Sequence, residues 1–402
     1  MIKIMRTFFE NLTKAQKVLV LVIMAVVLYT VSAGVSFSLF ANSAAPKALD
    51  GSSLQTALPG AGGEQEDPGL PRTEACPLNG NLHTKPAKEA WDKRRPLAVM
   101  IENHQESRPQ SGLSSADVVY ETVAEGGITR FMGMYLCSFG DIQLGPVRSA
   151  RTYFLDWLSE YDPLYAHVGG ANTPGPANAL GQIIDYKIKD LNQFGIGYPT
   201  FWRDYQRLGR PVATEHTMYT TTKKLWDIGE KKGWGVADAL GVRWDKNFVP
   251  WKFLKSDEAV NIGAAATKMT VNFWESQKDY QVEWNFDQAS NSYKRKNAGS
   301  DHVDLNTKQQ LSPKTVIVQY MKESRANDGY EGNAHLLYAN KGPQAPTGKA
   351  LIFMNGKVVK GTWNKANRLA RETFKDEAGK EISFVPGQIW IQTVPEGSSV
   401  TY

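Results

Sequence analysis

Four short apolar runs between Leu97 and Val168 decide what the middle of this chain can become. Leu97–Ile101 (LAVMI), Asp117–Thr122 (DVVYET), Arg130–Leu136 (RFMGMYL) and Leu164–Val168 (LYAHV) each have the length of a strand. Gly126-Gly127 and Gly169-Gly170 punctuate them. Ser149 stands as an N-cap for a helix running to Tyr161 and closed by Asp162-Pro163. Thr221 or Thr222 caps a second helix, KKLWDIGEKK, stopped by Gly233. Strands alternating with helices predict an α/β or α+β domain over residues 76–250.

After Pro250 the pattern changes. One helix-like stretch, Asp257–Thr267, precedes short alternating strands at Gln281–Phe286, Thr315–Met321, Ala350–Met354, Lys357–Trp363, Ile382–Val385 and Ile389–Val394. Asn355-Gly356 between two of them is a hairpin signal. Residues 251–402 therefore read as a second, mainly β domain.

At the other end, no charge appears from Val18 to Phe40, a run long enough to cross a bilayer as a helix. Lys3, Arg6, Lys14 and Lys17 precede it against Glu10. Residues 1–17 are thus expected in the cytoplasm, 18–40 as a single transmembrane anchor, and the bulk of the chain outside. Small residues at Ala41, Ser43, Ala44 and Ala45 keep a cleavable signal open, but the length of the run favours an anchor. Residues 41–75, dominated by Ala, Gly, Ser and Pro with a few acids, read as a flexible linker. The formal charge of +5 shrinks to +2 once the basic N-terminus is set aside, which excludes a nucleic-acid footprint. Two cysteines, Cys76 and Cys137, are too few for a disulfide framework or a four-thiolate metal site. Two separate thiols are favoured over a bridge.

The chemistry-bearing feature is a stretch with arginine but no lysine. Arg94, Arg95, Arg108, Arg130, Arg148 and Arg151 all lie between Lys93 and Lys187, although the whole chain has 30 lysines. A solvated basic face would use both residues, whereas a planar fork for carboxylate or phosphate calls for arginine. GPVRSAR, residues 145–151, offers Arg148, Ser149 and Arg151 with the free N–H groups of a helix start, an anion site. The structural alternative pairs these arginines with Asp156, Glu121 or Glu125. RPQSG adds Arg108, Gln110 and Ser111 on a constrained loop, which serves equally as a plain turn. Glu121 and Glu125, four residues apart, are candidate acid and base, though salt-bridge partnership is the commoner use. His167 before Gly169-Gly170 and Asp204 in FWRDYQR complete the catalytic candidates. The histidines show no ligand spacing, so no metal is expected, and no fingerprint for a cofactor is present.

The motifs PLNG (77–80), RPLAVMIENH, RPQSGLSSADVVYE, EGGITRF, GPVRSARTYF and HVGG resemble the YerB-like family of bacterial envelope proteins, a domain family of unknown function. YKR (293–295), DHVDL (301–305), GTW (361–363) and VPGQIWIQTVP (385–395) resemble its C-terminal domain. The resemblance implies a two-domain extracytoplasmic protein and no particular activity. Family members are often lipoproteins, whereas this chain has a spanning run and no lipidation cysteine. The order of the arginine segment, HVGGANTPGPANAL and RDYQR is also similar in outline to the LytR-CpsA-Psr phosphotransferases, from which no catalytic residue is carried over.

These readings converge on a membrane-anchored, extracytoplasmic envelope protein. Arg108, Arg130, Arg148 and Arg151 would grip an anionic cell-wall glycan or lipid-linked precursor, with Gln110, Ser111 and Ser149 orienting it. The alternatives are a cell-wall polymer-modifying enzyme using Glu121, Glu125, His167 or Asp204 beside the same arginines, and an assembly scaffold that docks an envelope protein partner.

Overall fold

In a computed structural model the described residues are 66–255, 263–326, 335–338 and 347–402. The spanning run expected over 18–40, and the linker up to residue 65, lie outside them. Among the described residues no helix is long and apolar enough to cross a membrane. The protein is mostly β with few, short helices.

A mixed sheet dominates. In chain order its principal strands are β1 (Leu97–Glu102), β2 (Val118–Val123), β3 (Thr129–Tyr135), β4 (Leu164–His167), β5 (Lys189–Asn192), β6 (Thr315–Arg325), β7 (Thr347–Met354), β8 (Lys357–Asn364) and β9 (Ile389–Pro395). Across the sheet the order is β8-β7-β6-β9-β2-β3-β1-β4-β5. The C-terminal strand β9 lies between β6 and β2, parallel to both, so strands from before and after Pro250 share one hydrogen-bonded surface. At the other edge β1, β4 and β5 are parallel. The sheet is covered on both faces, which is why LAVMI reads as a continuous apolar run. Ala98 and Met100 join one core with Tyr120, Trp157 and Ile391, while Leu97, Val99 and Ile101 join the other with Phe131, Trp284 and Trp390. The first core lies under helix Thr152–Leu158, the second under a five-stranded antiparallel sheet that includes Val282–Asp287 and Ser292–Asn297.

Several expectations need correction. Helix Thr152–Leu158 starts three residues after Ser149, and its N-cap is Arg151 with no side-chain cap bond. Ser149 and Ala150 are drawn out instead by pairing with the chain after β4, Ala150 N donating to Gly169 O at 2.9 Å. The helix-like stretch 257–267 is only partly described, and its Ala264–Ala265 is a strand paired with Lys357 and Val358. Ile382–Val385 makes isolated bridges rather than a strand, Phe384 pairing with Phe253. Arg72–Ala75, placed in the linker, pairs with Leu82–Thr84. Asn355-Gly356 does turn the β7–β8 hairpin, with positive φ at both residues.

Cys76 and Cys137 form a disulfide, correcting the expectation of separate thiols. Both flank Asp117, whose Oδ2 accepts from the backbone N of Leu136 (2.7 Å) and Cys137 (3.0 Å) while Asn79 Nδ2 donates to Oδ1 at 3.2 Å. This buried acid holds the two segments side by side, a long-range arrangement that cysteine spacing does not reveal. Closing a loop over a separation of 61 residues restricts the unfolded chain, so Cys76→Ser with Cys137→Ser should lower unfolding free energy by about 2–4 kcal/mol in urea titrations. An unchanged midpoint would mean that the bridge adds nothing to stability.

A second interior link is ionic. Glu121 on β2 and Arg295 are both fully buried, and Arg295 Nη2 donates to Glu121 Oε1 at 2.8 Å. Thr129 Oγ1 (3.1 Å), Trp390 Nε1 (3.0 Å) and Gln392 Nε2 (3.0 Å) complete the carboxylate's donors. The guanidinium lies over the rings of Trp390, Trp284 and Phe131 at 4.9, 5.2 and 5.6 Å. Burial, with Arg295 and Arg108 nearby, pushes His302 well below the ordinary imidazole range. Neutral His302 therefore accepts from Arg295 Nε at Nδ1 (2.9 Å) and donates from Nε2 to Gln110 Oε1 (2.7 Å). Arg295→Met leaves Glu121 charged and unpaired, which should cost about 3–5 kcal/mol of unfolding free energy, and adding Glu121→Gln should recover part of it. Equal loss in the single and double variants would show the pair to be irrelevant to stability.

Candidate functional site

Residues Pro146–Ala150 are stitched on both sides along the carboxyl end of β1. Glu102 N donates to Pro146 O (3.0 Å), Arg148 N to Met100 O (3.0 Å), Val147 N to Met218 O (2.7 Å) and Val168 N to Arg148 O (3.0 Å). These bonds set the Arg148 and Ser149 side chains at the carboxyl ends of the parallel strands β1, β4 and β5. In open α/β sheets, ligand crevices form at this end.

A cleft of about 270 Å³ opens there, lined by Arg148, Ser149, Gly169, Gly170, Phe194, Arg203 and Glu215, among others. Phe194, just after β5, is 77% exposed and presents its ring. Its ring edge also lies 2.9 Å from where a Cβ on Gly169 would stand, and with φ at +59° there a side chain would strain the backbone and push the ring aside. Arg203 Nη1 is anchored on Thr214 O and Thr217 Oγ1. Arg148 is different. Its Nε lies 3.1 Å from Glu102 Oε1, yet among the described residues no protein acceptor takes a hydrogen bond from its guanidinium. Its side chain is 28% exposed.

Arg130 and Arg151 stand behind the cleft wall. Both converge on Glu125, and Arg130 Nη1 donates to Ser149 O (3.0 Å) while Arg151 Nη1 donates to Ala150 O (2.6 Å). Burial alone would raise the Glu125 carboxyl, but the two guanidinium groups override it and hold it at about 2. Arg108, Gln110 and Ser111 do not join this group. Arg108 donates to Asn103 Oδ1 and O and to Asp279 O, and burial lowers it to about 10. Gln110 belongs to the interior chain through His302. Ser111 Oγ accepts from Arg207 of FWRDYQR at 3.1 Å.

The four acid–base candidates do not meet. Glu121 is locked to Arg295, and Glu125 is clamped between arginines. His167 is fully buried, with its nitrogens at Gly169 O (2.7 Å) and Asp190 Oδ1 (2.8 Å). Asp204 caps a local turn through Gln206 N (3.1 Å).

Sequence reasoning missed Glu102, Phe194 and Arg203, and it treated His104 and His216 as scattered. In the fold the two imidazoles stack, centroids 4.7 Å apart and planes 9° from parallel. His216 Nδ1 lies 2.8 Å from Glu102 Oε2, a hydrogen bond that raises the imidazole above its ordinary range. No spacing rule joins residues 104 and 216, because β2 to β5 intervene.

Residues 82–235 match the protein of unknown function (DUF3048) N-terminal domain, and residues 269–391 its C-terminal domain. The chain is 29% identical over 334 residues to "Putative lipoprotein YerB" of Bacillus subtilis (strain 168), covering 83% of this chain and 90% of that protein. The crystal structure of YerB protein from Bacillus subtilis superposes with a TM-score of 0.66 at 26% identity, over 82% of this chain and all of that one. Carrying both domains in order, the chain belongs to the two-domain, YerB-like DUF3048 family.

Proposed function

We propose that this protein is held at the membrane on the outer side of the cell and binds an anionic envelope ligand, a cell-wall glycan or lipid-linked precursor, in the Arg148 cleft. The observation that carries the reading is the Arg148 guanidinium, which lines the cleft and meets the protein only in an ion pair of Nε with Glu102 that lacks hydrogen-bond geometry. A planar fork in that state suits phosphate or carboxylate. Phe194 adds an exposed ring on which a sugar face can stack, and Arg203 a second cation. The name of the Bacillus subtilis relative as a lipoprotein supports an envelope location, as does the uncharged run 18–40. None of Glu121, Glu125, His167 and Asp204 lines the cleft, where the carboxylate in the lining is that of Glu215.

Calorimetry with wall glycans that carry phosphate or carboxylate tests this. Arg148→Lys keeps the charge and removes the fork, and should weaken binding about tenfold, roughly 1.4 kcal/mol. Arg148→Ala should weaken it further, and Phe194→Ala several-fold. A neutral glycan of equal length should not bind. Undiminished affinity in Arg148→Ala would end the proposal.

A further inference from the structure

The stacked histidines next to the cleft share an acidic neighbour. His216 Nδ1 lies 2.8 Å from Glu102 Oε2, which directs Nε2 the other way. Nε2 faces Glu106 Oε2 at 3.5 Å, an ion pair when the ring is protonated and two donors aimed at one cation when it is not. His104 lies flat against His216, its Nδ1 holding only a 3.3 Å bond from Glu106 N. One ligand atom from each of His104, Glu106 and His216 falls within 4.8 Å of the other two.

We propose that His104, Glu106 and His216 form a divalent-cation site, with zinc the best match. Two imidazoles and one carboxylate are donors that zinc accepts, with a fourth position left to solvent. Glu102 is the orienting carboxylate: it fixes the tautomer and the ring plane of His216, as outer partners of metal-bound histidines do. Arg148 balances the other oxygen of Glu102 at 3.1 Å, so Glu102 is held in place without becoming a ligand. Tetrahedral zinc with bonds of roughly 2.0–2.2 Å sets its ligands about 3.3–3.5 Å apart. His216 and Glu106 already meet that spacing. His104 and Glu106 belong to the turn after β1, and the Glu106 side chain is 51% exposed; because an imidazole lone pair lies in its ring plane, His104 turns out of its stack with His216 to ligate the same ion. The inference does not depend on the anion reading, because the metal is its own probe.

The full-length protein, stripped with chelator, is titrated with zinc chloride by calorimetry, and bound metal is counted after gel filtration. One equivalent should bind with micromolar or tighter affinity. Glu106→Gln and His104→Asn, both on the solvent-reachable turn, should each weaken it at least tenfold, and Glu102→Gln by about tenfold. His216→Ala should abolish it. Circular dichroism of each variant separates a lost site from a lost fold. The proposal falls if no saturable equivalent binds, or if binding persists unchanged in folded Glu106→Gln and His104→Asn.

Discussion

A fully buried charge pair anchors the architecture. Glu121 and Arg295 are 174 residues apart in sequence, and each is taken wholly out of solvent. Such burial is tolerable only because the remaining carboxylate sites are filled by Thr129, Trp390 and Gln392 and the guanidinium is sandwiched among aromatic rings. The donors come from β3, from β9 and from the antiparallel sheet beneath. The carboxylate can be satisfied only when the C-terminal strand lies beside β2, so the pair specifies register as well as contact. A one-residue slip of β9 would turn Trp390 and Gln392 to the other face and strand the acid.

The crevice follows from that placement. Once β9 closes on β2, β3 and β1 carry the remaining parallel strands β4 and β5 outward, and their carboxyl ends align. The segment Pro146–Ala150 crosses those ends, its backbone bonded to Met100, Glu102, Met218, Val168 and Gly169. Arg130 and Arg151, both paired with Glu125, brace its carbonyls from behind. These bonds fix the backbone from which the Arg148 side chain reaches the cleft.

Local chemistry was legible where local rules decide the outcome. LAVMI, RFMGMYL and IWIQTV are apolar enough to be strands in any context, Thr221 caps its helix as its hydroxyl requires, accepting from Lys224 N, and Asn355-Gly356 turns its hairpin. Lys189–Asn192 and Ser292–Asn297 were missed because their sequences, KDLN and SYKRKN, carry the polarity of loops. Their strand state comes from the neighbours they pair with, a tertiary effect that propensity does not contain. Ser149 failed as a cap for the same reason: Gly169 competes for the backbone that a helix would have used. The fold divides the anion candidates: Arg148 and Ser149 line the cleft, whereas Arg108 is spent on Asn103 and Asp279.

The absence of lysine from this region has a structural cause deeper than ligand binding. Arg94 donates to Leu136 O and Ser138 O, and Arg95 to Gly235 O and Asp162 O. Arg108 serves Asn103 O and Asp279 O, Arg130 Ser149 O, and Arg151 Ala150 O. Each guanidinium thus closes backbone carbonyls that strand ends and loops leave open inside the protein, and several do so for two segments at once. An ammonium group can match the charge but not the planar spread of donors, and it loses its strong hydration on burial. Five of the six forks are consumed in this way. Arg148 is the exception among the six: it serves no backbone carbonyl, pairing instead with the Glu102 carboxylate while lining the cleft.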